Sequence, residues 1–85
     1  MNKTITIAII GLGQVGNYLY RELNLKKKDI EKKTGKNIQV VALSAKNKNK
    51  KRKYKINKNI FYSDPIKIIK DIKPDILFEV IGQAD

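Results

Sequence analysis

Apolar residues follow two different rhythms along the first half of the chain. Ile5, Thr6, Ile7, Ile9 and Ile10 make a nearly continuous, β-branched run over residues 4–10. That pattern predicts a strand buried on both faces, as parallel sheets require. After Gly11-Leu12-Gly13-Gln14-Val15-Gly16 the spacing changes to three and four residues. Val15, Tyr18, Leu19 and Leu23 then predict one face of a helix that starts near Gln14 and packs on the sheet, with Asn17, Arg21 and Glu22 pointing away. A thin stripe at Leu25 and Ile30 extends the helix through residues 26–33. Thr34-Gly35 supplies the stop, with Gly35 suited to a left-handed cap.

A second apolar run at Val40, Val41, Ala42 and Leu43 predicts a strand over residues 38–44. The crossover rule places it parallel to the first, with both C-terminal ends opening on one sheet edge. Residues 46–55 are polar, low in complexity and self-repelling, and read as a mobile loop. Order resumes at Ile60, Phe61 and Tyr62. Asp64 and Pro65 then offer an N-cap and a first helical position for a short helix whose buried face is Ile66, Ile69 and Ile72. After the turn at Lys73-Pro74-Asp75, residues 76–81 predict a third core strand ending at Gly82. The fold class expected is α/β, a partial Rossmann-type doubly wound parallel sheet.

Composition narrows the chemistry. The chain holds 85 residues, with no cysteine and no histidine, which removes thiolate and imidazole chemistry and makes a metal site a poor expectation. Its length falls short of a complete doubly wound domain, so the whole chain is read as the N-terminal part of a dinucleotide-binding domain, with any substrate domain absent. The glycines interrupt the first apolar run before it could act as a signal segment or membrane span, and a cytoplasmic location is expected. The net charge of +11 raises the possibility of a nucleic-acid partner. The lysines are scattered, however, the only arginines are Arg21 and Arg52, and few aromatics lie near the basic runs to stack on bases. Nucleic-acid binding through residues 46–55 is therefore the disfavoured reading.

The strand, the glycine string and the following helix together match a dinucleotide-binding fingerprint. In it Gly11 permits the tight turn, Gly13 lets backbone approach a pyrophosphate, and Gly16 lets the helix pack closely on the strand. Leu12, Gln14 and Val15 would add backbone N–H groups and packing, and the helix N-terminus favours anionic oxygens. An ordinary strand-to-helix turn that binds nothing is the simpler alternative. The end of the second strand lacks the acidic residue that accepts hydrogen bonds from the ribose of NAD. It offers Ser44, Ala45, Lys46, Asn47 and Lys48, a hydroxyl and cations that suit the 2′-phosphate of NADP. Lys46 and Lys48 lie nearer the strand end than the cations of residues 50–55, and a solvated basic loop is the alternative reading of all of them. Glu79 interrupts an apolar strand, either to support the glycine turn from below or simply to lean toward a polar edge. Gly82 would allow close approach of a nicotinamide ring.

Residues 7–16, the Lys32-Lys33-Thr34-Gly35-Lys36 segment, Ser44-Ala45-Lys46-Asn47-Lys48 and Phe78-Glu79-Val80-Ile81-Gly82 together resemble the N-terminal part of homoserine dehydrogenases. The resemblance implies NAD(P)-dependent interconversion of L-homoserine and L-aspartate 4-semialdehyde, a step toward threonine, methionine and isoleucine. It implies that residues 11–16 hold the pyrophosphate, that residues 44–48 surround the adenosine ribose, and that Gly82 borders the nicotinamide. The family commonly has a second glycine where this chain has Gln83. Its substrate-binding region and its catalytic lysine and aspartate lie beyond Asp85, so no catalytic residue is assigned and the segment alone is expected to be inactive. The expected partners are a nicotinamide dinucleotide and, in a full-length protein, a small-molecule substrate and further copies of the chain. A regulatory module that senses NAD(P) without chemistry is the alternative.

Overall fold

The computed structural model describes residues 3–80, a parallel sheet of three strands in the order β2-β1-β3. The strands are β1 (Thr4–Ile10), β2 (Asn37–Ser44) and β3 (Ile76–Glu79). Between β1 and β2 the chain forms α1 (Gln14–Leu25) and α2 (Lys27–Thr34). Between β2 and β3 it makes a 3-10 turn (Lys58–Ile60) and a short helix, α3 (Pro65–Lys67), that widens into a π turn (Ile68–Ile72). The expected α/β architecture and the parallel β1–β2 pair are both present.

Because β1 is central, its side chains are buried on both faces. Ile7 and Ile9 join Leu12, Tyr20, Ile38, Leu43 and Ile56 in the larger core, on the α1 side. Ala8 faces a smaller core with Ala42 and Ile68, edged by Ile10, Val41, Tyr62, Ile72 and Leu77. Burying Ile9 or Leu12 fully contributes about 2 kcal/mol each. The β1–β2 register runs from Thr4↔Asn37 to Ile10↔Ser44, with a shift between Ile7 and Ala8. Val41 is the extra residue on β2, so Val41 and Ala42 both pack into the smaller core.

Four expectations need correction. The single long helix is two, joined at Lys26, where φ is −100° and ψ 9°. Gly35 ends the second in the left-handed conformation, at φ 71°, as its position predicts. The buried face of α1 is rotated from the expected one: Gly16, Asn17 and Tyr20 are buried, with Leu19 and Leu23 packed on the core, whereas Val15 is 53% and Tyr18 60% exposed. Gly16 sets this rotation. A Cβ there would lie 1.9 Å from the Gly11 carbonyl oxygen, so this residue must face the strand. At roughly 100° per residue, Tyr20 and Leu23 follow it inward and Tyr18 is carried to the far side.

The short helix is rotated too. Asp64 caps it by accepting from the Ile66 N–H at 3.0 Å and Pro65 occupies its first turn, but the buried residue is Ile68, while Ile66 and Ile69 are about half exposed. The cause is the wider turn, in which the Lys73 N–H donates to the Ile68 carbonyl five residues back, bringing Ile68 and Ile72 onto one side. β3 is a half-exposed edge strand rather than a third core strand. Among the described residues it pairs with β1 alone, and Ile76 and Glu79 are exposed. At its start Asp75 accepts from the Thr6 N–H at 2.8 Å and the Thr6 hydroxyl at 3.1 Å, while its own N–H donates to the Thr6 Oγ1 at 3.0 Å. The expected continuation of this strand through Ile81 to Gly82 lies outside the described residues.

Candidate functional site

The turn from β1 to α1 is built by excluding side chains. Gly11 has φ 99°, and a Cβ there would stand 2.5 Å from the Val80 carbonyl oxygen. Its N–H donates to the Ser44 carbonyl at 2.8 Å, fastening the turn to the end of β2. The Gly16 contact with Gly11 closes the other side. Two of the glycines are thus explained by packing, and Gly13, itself buried, is the one that lines the neighbouring cleft. It is the N-cap of α1, where no side chain caps the helix and no acid stands in the first turn. The early N–H groups of α1 have no acceptor of their own within the helix, and the helix dipole adds positive potential.

Beside this turn lies an open cleft of about 600 Å³, lined on the helix side by Leu12, Gly13, Gln14, Asn17, Tyr18 and Arg21. Lys50, Lys51, Arg52, Lys53 and Tyr54 line the other side. The lining holds cations from both elements and no carboxylate. Arg21 is paired at 2.8 Å with Glu22, which also takes Lys26 at 3.1 Å. The hydrogen bond and charge of Glu22 raise the pKa of Lys26 above its usual value.

The basic segment after β2 is an ordered strap across α1, which corrects the expectation of a mobile loop. Asn17 Nδ2 donates to the Tyr54 carbonyl at 2.8 Å, and the Tyr54 N–H returns to Asn17 Oδ1 at 3.0 Å. The Tyr54 ring meets Tyr20 edge to face at 5.5 Å, and the Tyr20 Oη accepts from the Asn57 N–H at 3.3 Å. Ile56 enters the core. Arg52 donates from Nε to the Leu12 carbonyl at 3.0 Å, from Nη1 to Lys50 O at 3.1 Å and from Nη2 to Asn47 O at 2.9 Å. Asn17 is buried by these partners. Taken with helix period alone, it belonged to the face turned away.

The sequence-based site residues separate into groups. Leu12, Gly13 and Gln14 line the cleft, Gly11 and Gly16 shape the turn behind it, and Val15 is exposed. Ser44 is buried at the end of β2 with its carbonyl engaged by Gly11. Lys46, Asn47 and Lys48 are exposed and stand outside the cleft lining, and Asn47 braces the strap by accepting from Arg52 and from the Asn49 N–H. Glu79 is exposed at the sheet edge, as the simpler of its two readings has it. Gly82 lies outside the described residues. Asn17, Tyr18, Arg21, Tyr54 and the cations of residues 50–53 are the cleft residues that motif reading missed. One tyrosine and one arginine within a lysine-rich run were the available signals.

Among the described residues no helix is long and apolar enough to cross a membrane. No protein-family model and no curated protein sequence matches the chain. Solved structures do. The crystal structure of S. aureus homoserine dehydrogenase at pH 7.5 superposes with a TM-score of 0.85 and 29% identity, over 98% of this chain and 21% of that one. The same enzyme at pH 6.0 gives 0.83 and 30% over 94% and 21%, and at pH 8.5 it gives 0.85 and 28% over 100% and 21%. The chain spans about a fifth of the length of the structures it matches. The resemblance read from the sequence therefore holds in three dimensions: along essentially its whole length, this chain is folded like a segment of homoserine dehydrogenase.

Proposed function

We propose that this chain is the N-terminal cofactor-binding part of a homoserine dehydrogenase, an NAD(P)-dependent oxidoreductase that interconverts L-homoserine and L-aspartate 4-semialdehyde. The observation that carries the reading is the uncapped start of α1 at Gly13, opening into a cleft with cations on both walls and no carboxylate. Such a site suits a pyrophosphate with its charge and with backbone donors. The residues fit the group: Leu12, Gly13 and Gln14 would hold the pyrophosphate, and Tyr18 offers an exposed ring beside them for packing. The bound nicotinamide would supply hydride transfer, leaving the protein to place it. Ser44, Lys46, Asn47 and Lys48 would border the adenosine ribose, with the strap cations nearer the cleft. Gly82 would stand on the nicotinamide side.

Cation-rich surroundings and the missing acid after β2 favour NADP over NAD, since a carboxylate would repel the 2′-phosphate. The substrate and catalytic residues belong to the larger enzyme, in which cytoplasmic location, homo-oligomer formation and a place in threonine and methionine biosynthesis accompany the same reading. A regulatory module that binds NAD(P) without catalysis would share every feature of this site.

Side-by-side titration of the chain with NADPH and NADH, followed by nicotinamide fluorescence, is the direct test. Tighter binding of NADPH is expected, by about tenfold, the factor that ~1.4 kcal/mol of extra ionic interaction gives. Equal or reversed affinities would remove the NADP assignment, and absence of binding by both would remove the cofactor reading.

A further inference from the structure

Arg52 stands on the cleft wall, where a cation invites assignment as a phosphate ligand. Its hydrogen bonds say otherwise. The guanidinium is already committed along three directions to main-chain carbonyls, those of Leu12, Lys50 and Asn47, at 3.0, 3.1 and 2.9 Å. Two of these acceptors belong to its own strap, and the third is the peptide that joins Leu12 to Gly13 in the glycine turn. Every described peptide bond is trans, so the Leu12 carbonyl and the Gly13 N–H point in opposite directions from one rigid plane. Holding the oxygen fixes the direction of the hydrogen.

We propose that Arg52 is a positioning residue for dinucleotide binding: by gripping the Leu12 carbonyl it fixes the Leu12–Gly13 peptide plane and locks the cationic strap to the glycine turn, so that both walls of the cleft keep one geometry. This inference rests on the dinucleotide reading above. A planar fork is required, because the three carbonyls are met by three separate nitrogens of one guanidinium, whereas a lysine ammonium carries its three donors on a single nitrogen. That accounts for an arginine in a run where Lys50, Lys51 and Lys53 otherwise supply the charge. The strap is independently anchored further on, where Asn17 pairs with both main-chain groups of Tyr54. Loss of Arg52 would accordingly loosen the turn end of the strap and leave its far end seated.

The test compares the unaltered chain with Arg52→Lys, which keeps the charge, and with Lys51→Ala, which removes a cleft cation outside the latch. NADPH and NADH are titrated against each, and the Gly13 amide resonance is recorded without ligand. For Arg52→Lys, affinity for both dinucleotides should fall by the same factor, about tenfold, with the NADPH-to-NADH ratio unchanged and the Gly13 amide shifted. For Lys51→Ala the ratio itself should fall. A loss confined to NADPH in Arg52→Lys would make Arg52 a direct 2′-phosphate ligand and overturn the inference. So would unchanged affinity for both, or an unmoved Gly13 amide, a measurement that needs no ligand. If the unaltered chain binds neither dinucleotide, the functional reading falls and this inference with it. If it binds and Arg52→Lys behaves as any of the three contrary cases, only this inference falls.

Discussion

Two connections leave the sheet at the same edge, one after β1 and one after β2, and they are held by opposite means. The glycine turn is specified by what is missing. At Gly11 and Gly16 a single methyl group would collide with main chain 2.5 and 1.9 Å away, at Gly16 with the turn itself and at Gly11 with Val80 across the fold, and Gly11 also holds a positive φ of 99° that disfavours a side chain. The strap after β2 is specified by what it reaches: Arg52 grips a carbonyl 40 residues earlier and Tyr54 exchanges two hydrogen bonds with Asn17, 37 residues earlier. The need for glycine, from a positive φ or a collision within one turn, is legible in a motif even where, as at Gly11, part of the collision lies across the fold. Polar pairing across the fold depends on where the partner sits, and so the strap resembles a solvated loop until the fold is known.

The comparison is broken most severely at Gly16. Replacing it with alanine should destabilise the chain by more than about 3 kcal/mol, because the new Cβ meets a carbonyl that cannot move without displacing Gly11 as well. Thermal unfolding measured by circular dichroism checks this. A melting temperature within a degree or two of the parent would show that α1 can shift to absorb the methyl group, and that the turn is not fixed by sterics.

A smaller and differently distributed effect is expected for Asn17→Leu. The substitution leaves the main-chain N–H and carbonyl of Tyr54 without their partner in a half-buried place, at a cost of about 2 kcal/mol. The damage should concentrate in the strap, with trypsin cutting at Lys50, Lys51, Arg52 and Lys53 sooner than in the parent while β1 and α1 remain protected. Unchanged cleavage there would mean that the Asn17–Tyr54 pair does not hold the strap.

The weakest effect should come from the far end of the sheet, where Thr6 and Asp75 make the only comparable polar clamp described between strands β1 and β3. Hydrogen bonds from the Thr6 main chain and hydroxyl, helped by the charge of Lys3, hold the Asp75 carboxyl below its usual pKa of 3.8. A carboxyl depressed in the folded state stabilises that state above the unfolded pKa and loses the contribution as pH falls through the folded one. Stability should therefore decline at pH values below about 4. Asp75→Asn should flatten that part of the acid unfolding profile, and an identical profile in both chains would show that the clamp is not linked to pH.

The same contrast sorts what was legible in advance. The parallel β1–β2 pair, the start of α1 at Gln14 and the caps at Gly35 and Asp64 were all readable, because strand composition, glycine placement and capping residues act within a few positions of themselves. Both helix faces were misplaced for one reason. Apolar spacing gives a helix period but not its phase, and here the phase of α1 is set by the contact between Gly16 and Gly11 and that of the short helix by the π turn at Ile68–Ile72.

By itself the sequence determined the α/β class, the glycine turn and the likeness in pattern to homoserine dehydrogenases, carried by short runs of adjacent residues and by their order along the chain. Only the tertiary structure decided that Asn17 faces inward, that Ser44 is buried, and that residues 50–54 rather than 46–48 line the cleft. The physical reason is that a hydrogen bond needs a partner at about 3 Å with the right direction. For Arg52 and Tyr54 those partners are brought within reach only when α1 has packed against β1 and the chain leaving β2 has folded back across it.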